Sequence, residues 1–231
     1  MKKILLGFFT LLSLTVFSQE VLFSRNVKAD TVRPTQGPNL KNFTHQYLSL
    51  SSPFFTNEDV NFIKPGASLV VDYGYRYKRR LNNTFALGLD FSFNWAAYKV
   101  KQEDGKTVPD TVINDKEKYK VNSMTPAIYL RINVGRRGNF VGKYLDLGGY
   151  GSWNWKKAHV TSNKNAQDEW VKVSVSNLDY VESFSYGVLA RIGYNRYALT
   201  ARYRLSNLFT EKSGLPELPR LTAGLEFGIF K

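Results

Sequence analysis

Phe85, Leu87, Leu89, Phe91, Phe93 and Trp95 put six large apolar side chains at every second position of one segment, with Ala86, Gly88, Asp90, Ser92, Asn94 and Ala96 between them. A period of two is the signature of a strand, because successive side chains leave it on opposite faces. One face of this strand is aromatic and oily; the other is small or charged. The alternation recurs along most of the chain, which predicts an all-β fold. An oily face turned to lipid and a polar face turned to a central axis give an antiparallel up-and-down transmembrane β-barrel. A soluble exported barrel with an apolar interior, lipocalin-like, would produce the same period, since alternation does not say which face points in. The many glycines and opposed charges of the polar face suit a cramped interior and favour the lipid-facing arrangement.

About eight strands can be placed, each near the ~9–11 residues a tilted strand needs to cross a bilayer. They begin near Asn42, Leu69, Phe85, Met124, Leu145, Phe184, Tyr197 and Leu221. Asn42–Leu50 is irregular, because Tyr47, Leu48 and Leu50 do not share one parity. Pro126 predicts a strand end or a bulge, since proline cannot donate to the ladder. Long connections (51–64, 99–120, 157–178 and the stretch holding Pro216 and Pro219) alternate with short ones. Val171, Val173 and Val175 alternate inside the third of these, either as a protruding hairpin or with a register-correcting bulge. Aromatics sort to both ends: Tyr77, Phe85, Tyr144, Tyr194 and Tyr197 near short turns, and Trp95, Trp153, Trp155 and Tyr203 near long loops. These are the expected interfacial girdles.

The N-terminus is of another kind. Lys2 and Lys3 precede an apolar run from Ile4 to Phe17, and Val16 and Ser18 occupy the −3 and −1 positions of a cleavage site. Residues 1–18 therefore read as a secretory signal peptide cut near Ser18–Gln19. Residues 19–41 read as a flexible periplasmic leader, and 42–231 as the barrel. Cysteine is absent, which excludes disulfides, thiolate metal sites and a lipidated cysteine.

The polar face is crowded with charge. Asp72, Asp90, Asp146 and Glu226 oppose Arg76, Arg131, Lys156, Arg191, Arg202 and Arg204. A lumen enclosed by about eight strands is just wide enough for side chains to fill, so these charges are expected to pair as a plug rather than line a pore. Asp72 and Asp90 flank the Arg79–Asn83 turn almost symmetrically and are expected to face each other, with Arg131 or Arg202 between them. Arg202 and Glu226 are expected to meet across the last hairpin. The short turns are basic: Lys78, Arg79, Arg80, Arg136, Arg137, Lys143 and Arg196. They read as cations snorkelling to inner-leaflet headgroups, or as a docking ring for an acidic periplasmic partner.

With the strand–loop rhythm in place, the chain from about Asn42 to Lys231 resembles the small eight-stranded outer-membrane β-barrels, the OmpA/OmpX/PorT-like group. Thr222, Gly224, Phe227 and Ile229 match that family's C-terminal assembly signal. The resemblance implies residence in the outer membrane of a Gram-negative bacterium and recognition of the last strand by the barrel-assembly machinery. Its PorT-like branch implies association with an envelope or secretion complex. The family hosts many functions and names an architecture.

The net charge is +13. Export makes nucleic acid an unsuitable partner and outer-membrane lipids a suitable one. A monomer without a cofactor is expected. His159, Thr161, Ser162 and Asn163 resemble the His-x-Ser-Asn motif of barrel enzymes that deacylate lipopolysaccharide. Here the spacing is one residue longer, which turns Ser162 to the face opposite His159. No metal-ligand spacing or phosphate loop appears. A non-enzymatic binding or scaffold barrel is the expected function, with a narrow pore and a lipid hydrolase as the alternatives.

Overall fold

The alternating segments pair into one antiparallel sheet that closes on itself. The computed structural model describes residues 36–54, 62–135 and 138–230. The signal segment 1–18, the leader as far as residue 35, and Arg136 and Arg137 lie outside the described residues. The strands are β1 (Asn42–Phe54), β2 (Leu69–Arg80), β3 (Phe85–Lys99), β4 (Lys116–Val134), β5 (Lys143–Lys164), β6 (Trp170–Ser176), β7 (Phe184–Tyr194), β8 (Tyr197–Arg204) and β9 (Leu221–Ile229). Eight of the nine form the ring, each bonded to its neighbour in sequence except that β7, not β6, follows β5, and β9 returns to β1. Closure leaves the ring without free edges, the arrangement a bilayer requires of strands.

The oily face points outward. Leu87 and Leu89 are 43% and 55% exposed, whereas Asp90 is 5% and Arg76 0% exposed. A soluble barrel with an apolar interior is thereby excluded.

Inside, four tyrosines lie directly across from glycines on the neighbouring strand: Tyr47 and Gly74, Tyr129 and Gly88, Tyr144 and Gly193, Tyr150 and Gly187. A Cβ on any of these glycines would overlap the facing ring. The glycines thus make room for rings laid flat against the inner wall, a large side chain beside a small one. This resolves the irregularity of β1: Tyr47 belongs to the interior with Ser49 and Ser51, and Leu48 and Leu50 face out. Tyr144, expected in a girdle, is likewise inside, with its ring 3.7 Å from the Arg131 guanidinium carbon.

Three strand limits differ from expectation: β1 runs on to Phe54, and the other two are in β4 and β5. β4 begins at Lys116 and β5 runs to Lys164, so strand occupies parts of both long loops. Beyond the level of Trp95 the polarity reverses. Lys116, Lys118 and Lys120 take the outward face of β4 while Glu117, Tyr119 and Val121 take the inward face, so the oily-outward pattern disappears although the strand continues. Val171–Val175 lies in β6, which pairs with the upper part of β5 as a protruding hairpin. Pro126 sits in mid-strand opposite Phe91. The bulge falls instead at Trp155, where the β4–β5 register slips by one residue. That slip turns Lys156 outward, away from the lumen where it was expected.

Gly88→Ala should therefore lower the urea midpoint of the folded barrel in detergent by the equivalent of about 1–3 kcal/mol, the usual cost of overpacking. Combined with Tyr129→Ala, its effect should be much smaller than the sum, because the two residues share one space.

Candidate functional site

The middle of the lumen holds three arginines and three carboxylates. Arg76 on β2 donates from Nε and Nη2 to Asp90 Oδ2 at 3.1 and 3.0 Å, and from Nη1 and Nη2 to the two carboxylate oxygens of Glu226 at 2.6 and 2.9 Å. Arg131 on β4 makes a two-pronged contact with Asp146 at 2.7 and 2.8 Å. Arg191 on β7 joins the two groups, 2.7 Å from Asp90 and 3.3 Å from Asp146. Tyr47 completes the set from β1: its hydroxyl donates to Asp90 at 2.6 Å and its ring lies 4.2 Å from the Arg76 guanidinium carbon. All six charged side chains are at most 3% exposed. Their formal charges cancel, the condition under which ions survive removal from water. Planar guanidinium groups suit the task because each can engage two carboxylates at once.

The expected pairings are corrected in two places. Asp72 does not face Asp90, because the β2–β3 register sets Asp72 opposite Asn94 and Asp90 opposite Arg76. Asp72 instead accepts from Asn94 and, at 3.2 Å, from Arg202 Nη1. Arg202 does not meet Glu226, because β8 and β9 align Arg202 with Thr222 and Ala198 with Glu226. Arg204 stands nearer the long-loop end, bonded to Glu217 at 2.9 Å and to the Leu218 carbonyl at 2.9 Å. Glu217, in a segment read only as loop, also accepts from the Leu208 and Phe209 amides.

At the short-turn end the basic residues divide. Arg80 donates to the Asn39 carbonyl at 2.6 Å and Lys78 to the Pro38 carbonyl. Asn39 in turn donates to the Gly138 carbonyl at 2.8 Å. Residues 36–41, expected to belong to a free leader, are thus fastened across two turns. Arg79, Lys143 and Arg196 are exposed. Phe43 and His45 stack at this mouth with ring centroids 4.9 Å apart, and Phe230 meets both edge-on at 5.3 Å. Of the assembly-signal residues, Phe227 and Ile229 face outward, and Gly224 stands where a Cβ would strike the Leu50 carbonyl of β1.

The opposite mouth is covered by loop residues. Ile63, Leu178, Val181, Leu208, Phe209 and Leu218 pack on the inward faces of Tyr98, Val100, Tyr119 and Val121. A polar cavity of about 80 Å³, lined by Asn94, Thr125, Ser152, Arg202 and Arg204 among others, lies between this cap and the ion pairs. It has room for a few waters. The loop after β3 is held by Glu117, which accepts from His159 Nε2 at 2.7 Å, Lys106 Nζ at 2.5 Å, Gln102 Nε2 at 2.8 Å and Asn114 Nδ2 at 3.2 Å. Burial opposes ionisation of Glu117, but the hydrogen bonds from His159, Lys106 and Gln102 and the charge of Lys106 prevail and bring its carboxyl down to about 2. Glu117 was not singled out from sequence. Its signal was the alternation Glu117, Tyr119, Val121, concealed by the lysines between.

Asp146→Asn strands two buried arginines and should cost about 3–5 kcal/mol, read as a fall in the urea midpoint. Glu117 acts differently. A carboxyl with a lowered folded-state value stabilises fully above its ordinary range near 4.5 and loses that contribution as pH falls towards 2. Proteolysis of the 101–115 loop should therefore accelerate below about pH 4 in the native protein, and Glu117→Gln should show the fast rate already at neutral pH.

The profile for the outer membrane protein beta-barrel domain matches residues 31–210. No curated protein matches. Among solved structures, the chain is similar to Ail, the attachment invasion locus protein of Yersinia pestis, in complex with the heparin analogue sucrose octasulfate. The identity is 9% and the TM-score 0.29, covering 80% of this chain and 94% of that one. With the family match spanning most of its length, the chain belongs to the outer membrane protein β-barrel domain family.

Proposed function

We propose that this protein is a non-enzymatic, non-conducting scaffold of the Gram-negative outer membrane that binds at the cell surface through its long-loop end. It is exported by a signal peptide cut near Ser18–Gln19, inserted by the barrel-assembly machinery and active as a monomer. One observation carries this reading: the lumen is closed by a charge-neutral set of ion pairs at mid-height and by an apolar cap above it, while the strands β4, β5 and β6 continue past the girdle as a platform. Building strand beyond the bilayer serves contact outside it, by the rule that short turns face the periplasm and long loops the exterior.

The alternatives draw less support. A hydrolase needs a nucleophile within reach of its base. His159 stacks on Tyr119 at 4.8 Å and bonds to Glu117, whereas Ser162 pairs with Lys116 on the opposite face. A PorT-like association through the basic turns would use Arg79, Lys143 and Arg196, but Arg80 is engaged by Asn39 and Asn82. Reconstitution into planar bilayers tests the central reading. The native protein should give no discrete current steps, and should show heat-modifiable gel mobility as a folded barrel. Stable unitary steps from the native chain would make it a pore.

A further inference from the structure

The polar cavity beneath the cap is lined by more hydrogen-bond donors than the protein itself satisfies. It measures about 80 Å³. Arg202 shares the inward parity of Thr200 and Arg204 on β8, yet 15% of its side-chain surface stays accessible, and it lines this cavity. Its Nη1 donates to Asp72 at 3.2 Å. Among the described residues its Nε and Nη2 have no protein acceptor, so they open onto the cavity. Ser185 on β7 is only 6% exposed and lines the same space. Thr222 on β9, the register partner of Arg202, lines it too. Neither hydroxyl has a protein partner among the described residues. Buried donors without acceptors are costly, and here they converge from three adjacent strands.

The charges around the cavity point the same way. Arg202, Arg204 and Arg220 line it, and the carboxylates paired with them are Asp72 and Glu217. Arg204 directs its donors to Glu217 and to the carbonyls of Ser206 and Leu218. Arg220 bonds to the Leu205 carbonyl at 3.1 Å and to Asn207 Oδ1 at 2.6 Å; among the described residues no carboxylate lies within ion-pair distance of it. Unlike the neutral set at mid-height, this chamber carries one positive charge in excess. Val121 and Leu208 of the cap form part of its wall, and apolar walls strengthen the field of an uncompensated charge. A single negative charge restores the balance, whereas a divalent phosphate would overshoot it. An anion without protons also accepts from guanidinium and hydroxyl donors at once.

We propose that this cavity binds one small monovalent inorganic anion of the size of chloride. The ion accepts from Arg202, Ser185 and Thr222 and completes the charge balance of the upper lumen. Because Arg204, Glu217 and Arg220 hold the segment between β8 and β9, the ion also braces that loop against the barrel wall. The site goes beyond binding at the cell surface and does not depend on it.

The experiment follows urea unfolding of the full chain in a zwitterionic detergent at fixed ionic strength, with sodium chloride, sodium bromide or sodium gluconate as the salt. An ion bound by the folded barrel alone shifts the folding equilibrium about elevenfold at about ten times its dissociation constant. Chloride and bromide should therefore raise the urea midpoint and then saturate, while gluconate, too bulky for the cavity, should not. Ser185→Ala should weaken the chloride dependence severalfold, and Arg220→Gln should remove most of it. Lys143→Gln at the opposite rim should leave it intact. Crystals of the native protein grown in bromide should show an anomalous peak beside Arg202. Heat-modifiable mobility checks that the variants fold; should they not, the bromide crystals decide. Equal midpoints in the three salts would overturn the proposal. So would folded Ser185→Ala and Arg220→Gln variants with the native chloride dependence, or bromide crystals without a peak in the cavity, which would leave water as its only occupant.

Discussion

Three arginines and three carboxylates share the buried middle of this barrel, and the requirement that they neutralise one another shapes much of what surrounds them. Two of the guanidinium groups reach past their own hairpins: Arg76 joins β3 to β9, and Arg191 joins β3 to β5, while Arg131 pairs with Asp146 directly across β4 and β5. Tyr47 adds β1, and the Asp72–Arg202 pair adds β8. Every strand of the ring thus contributes to one of two linked polar layers. Such ions stabilise little relative to a well-packed apolar core, but losing one leaves its partner buried and unpaired. The arrangement penalises any strand pairing that fails to deliver the right charge to the right height.

The barrel uses two opposite polarity patterns on the same strands. Between the girdles, oily side chains face lipid and polar ones fill the axis. Above Trp95, lysines face out while Tyr98, Val100, Tyr119 and Val121 face in against Ile63, Leu208 and Phe209. The solvent explains the switch. Hydrocarbon accepts apolar side chains at no cost, so the interior there can be polar. In an aqueous or headgroup layer, apolar side chains gain by turning inward. The point of reversal therefore marks the edge of the bilayer, and the cap is an ordinary hydrophobic core set over a polar one.

That reversal also explains where sequence reading stopped. An oily-outward template finds β2, β3 and β7 over most of their length, because lipid faces them there. It loses β4 at Met124 and β5 at Trp155, where the environment changes but the backbone does not. β1 was obscured for another reason. Tyr47 is large and aromatic yet points inward, where it lies over Gly74 and holds Asp90. Hydrophobicity scales read the ring and miss the hydroxyl.

The sequence by itself determined the parity of the membrane strands other than β1, an antiparallel barrel and, Lys156 apart, the charges that occupy its axis. These follow from a period of two, which is local and survives any register. Tertiary structure alone decided who meets whom. Arg76 and Glu226 are 150 residues apart and touch only because β9 closes onto β1. Turn symmetry suggested Asp72 for Asp90, and a hairpin argument suggested Arg202 for Glu226. Both failed on hairpin register, which sets Asp72 opposite Asn94 and Arg202 opposite Thr222, and the partners these residues found instead lie across the closed ring.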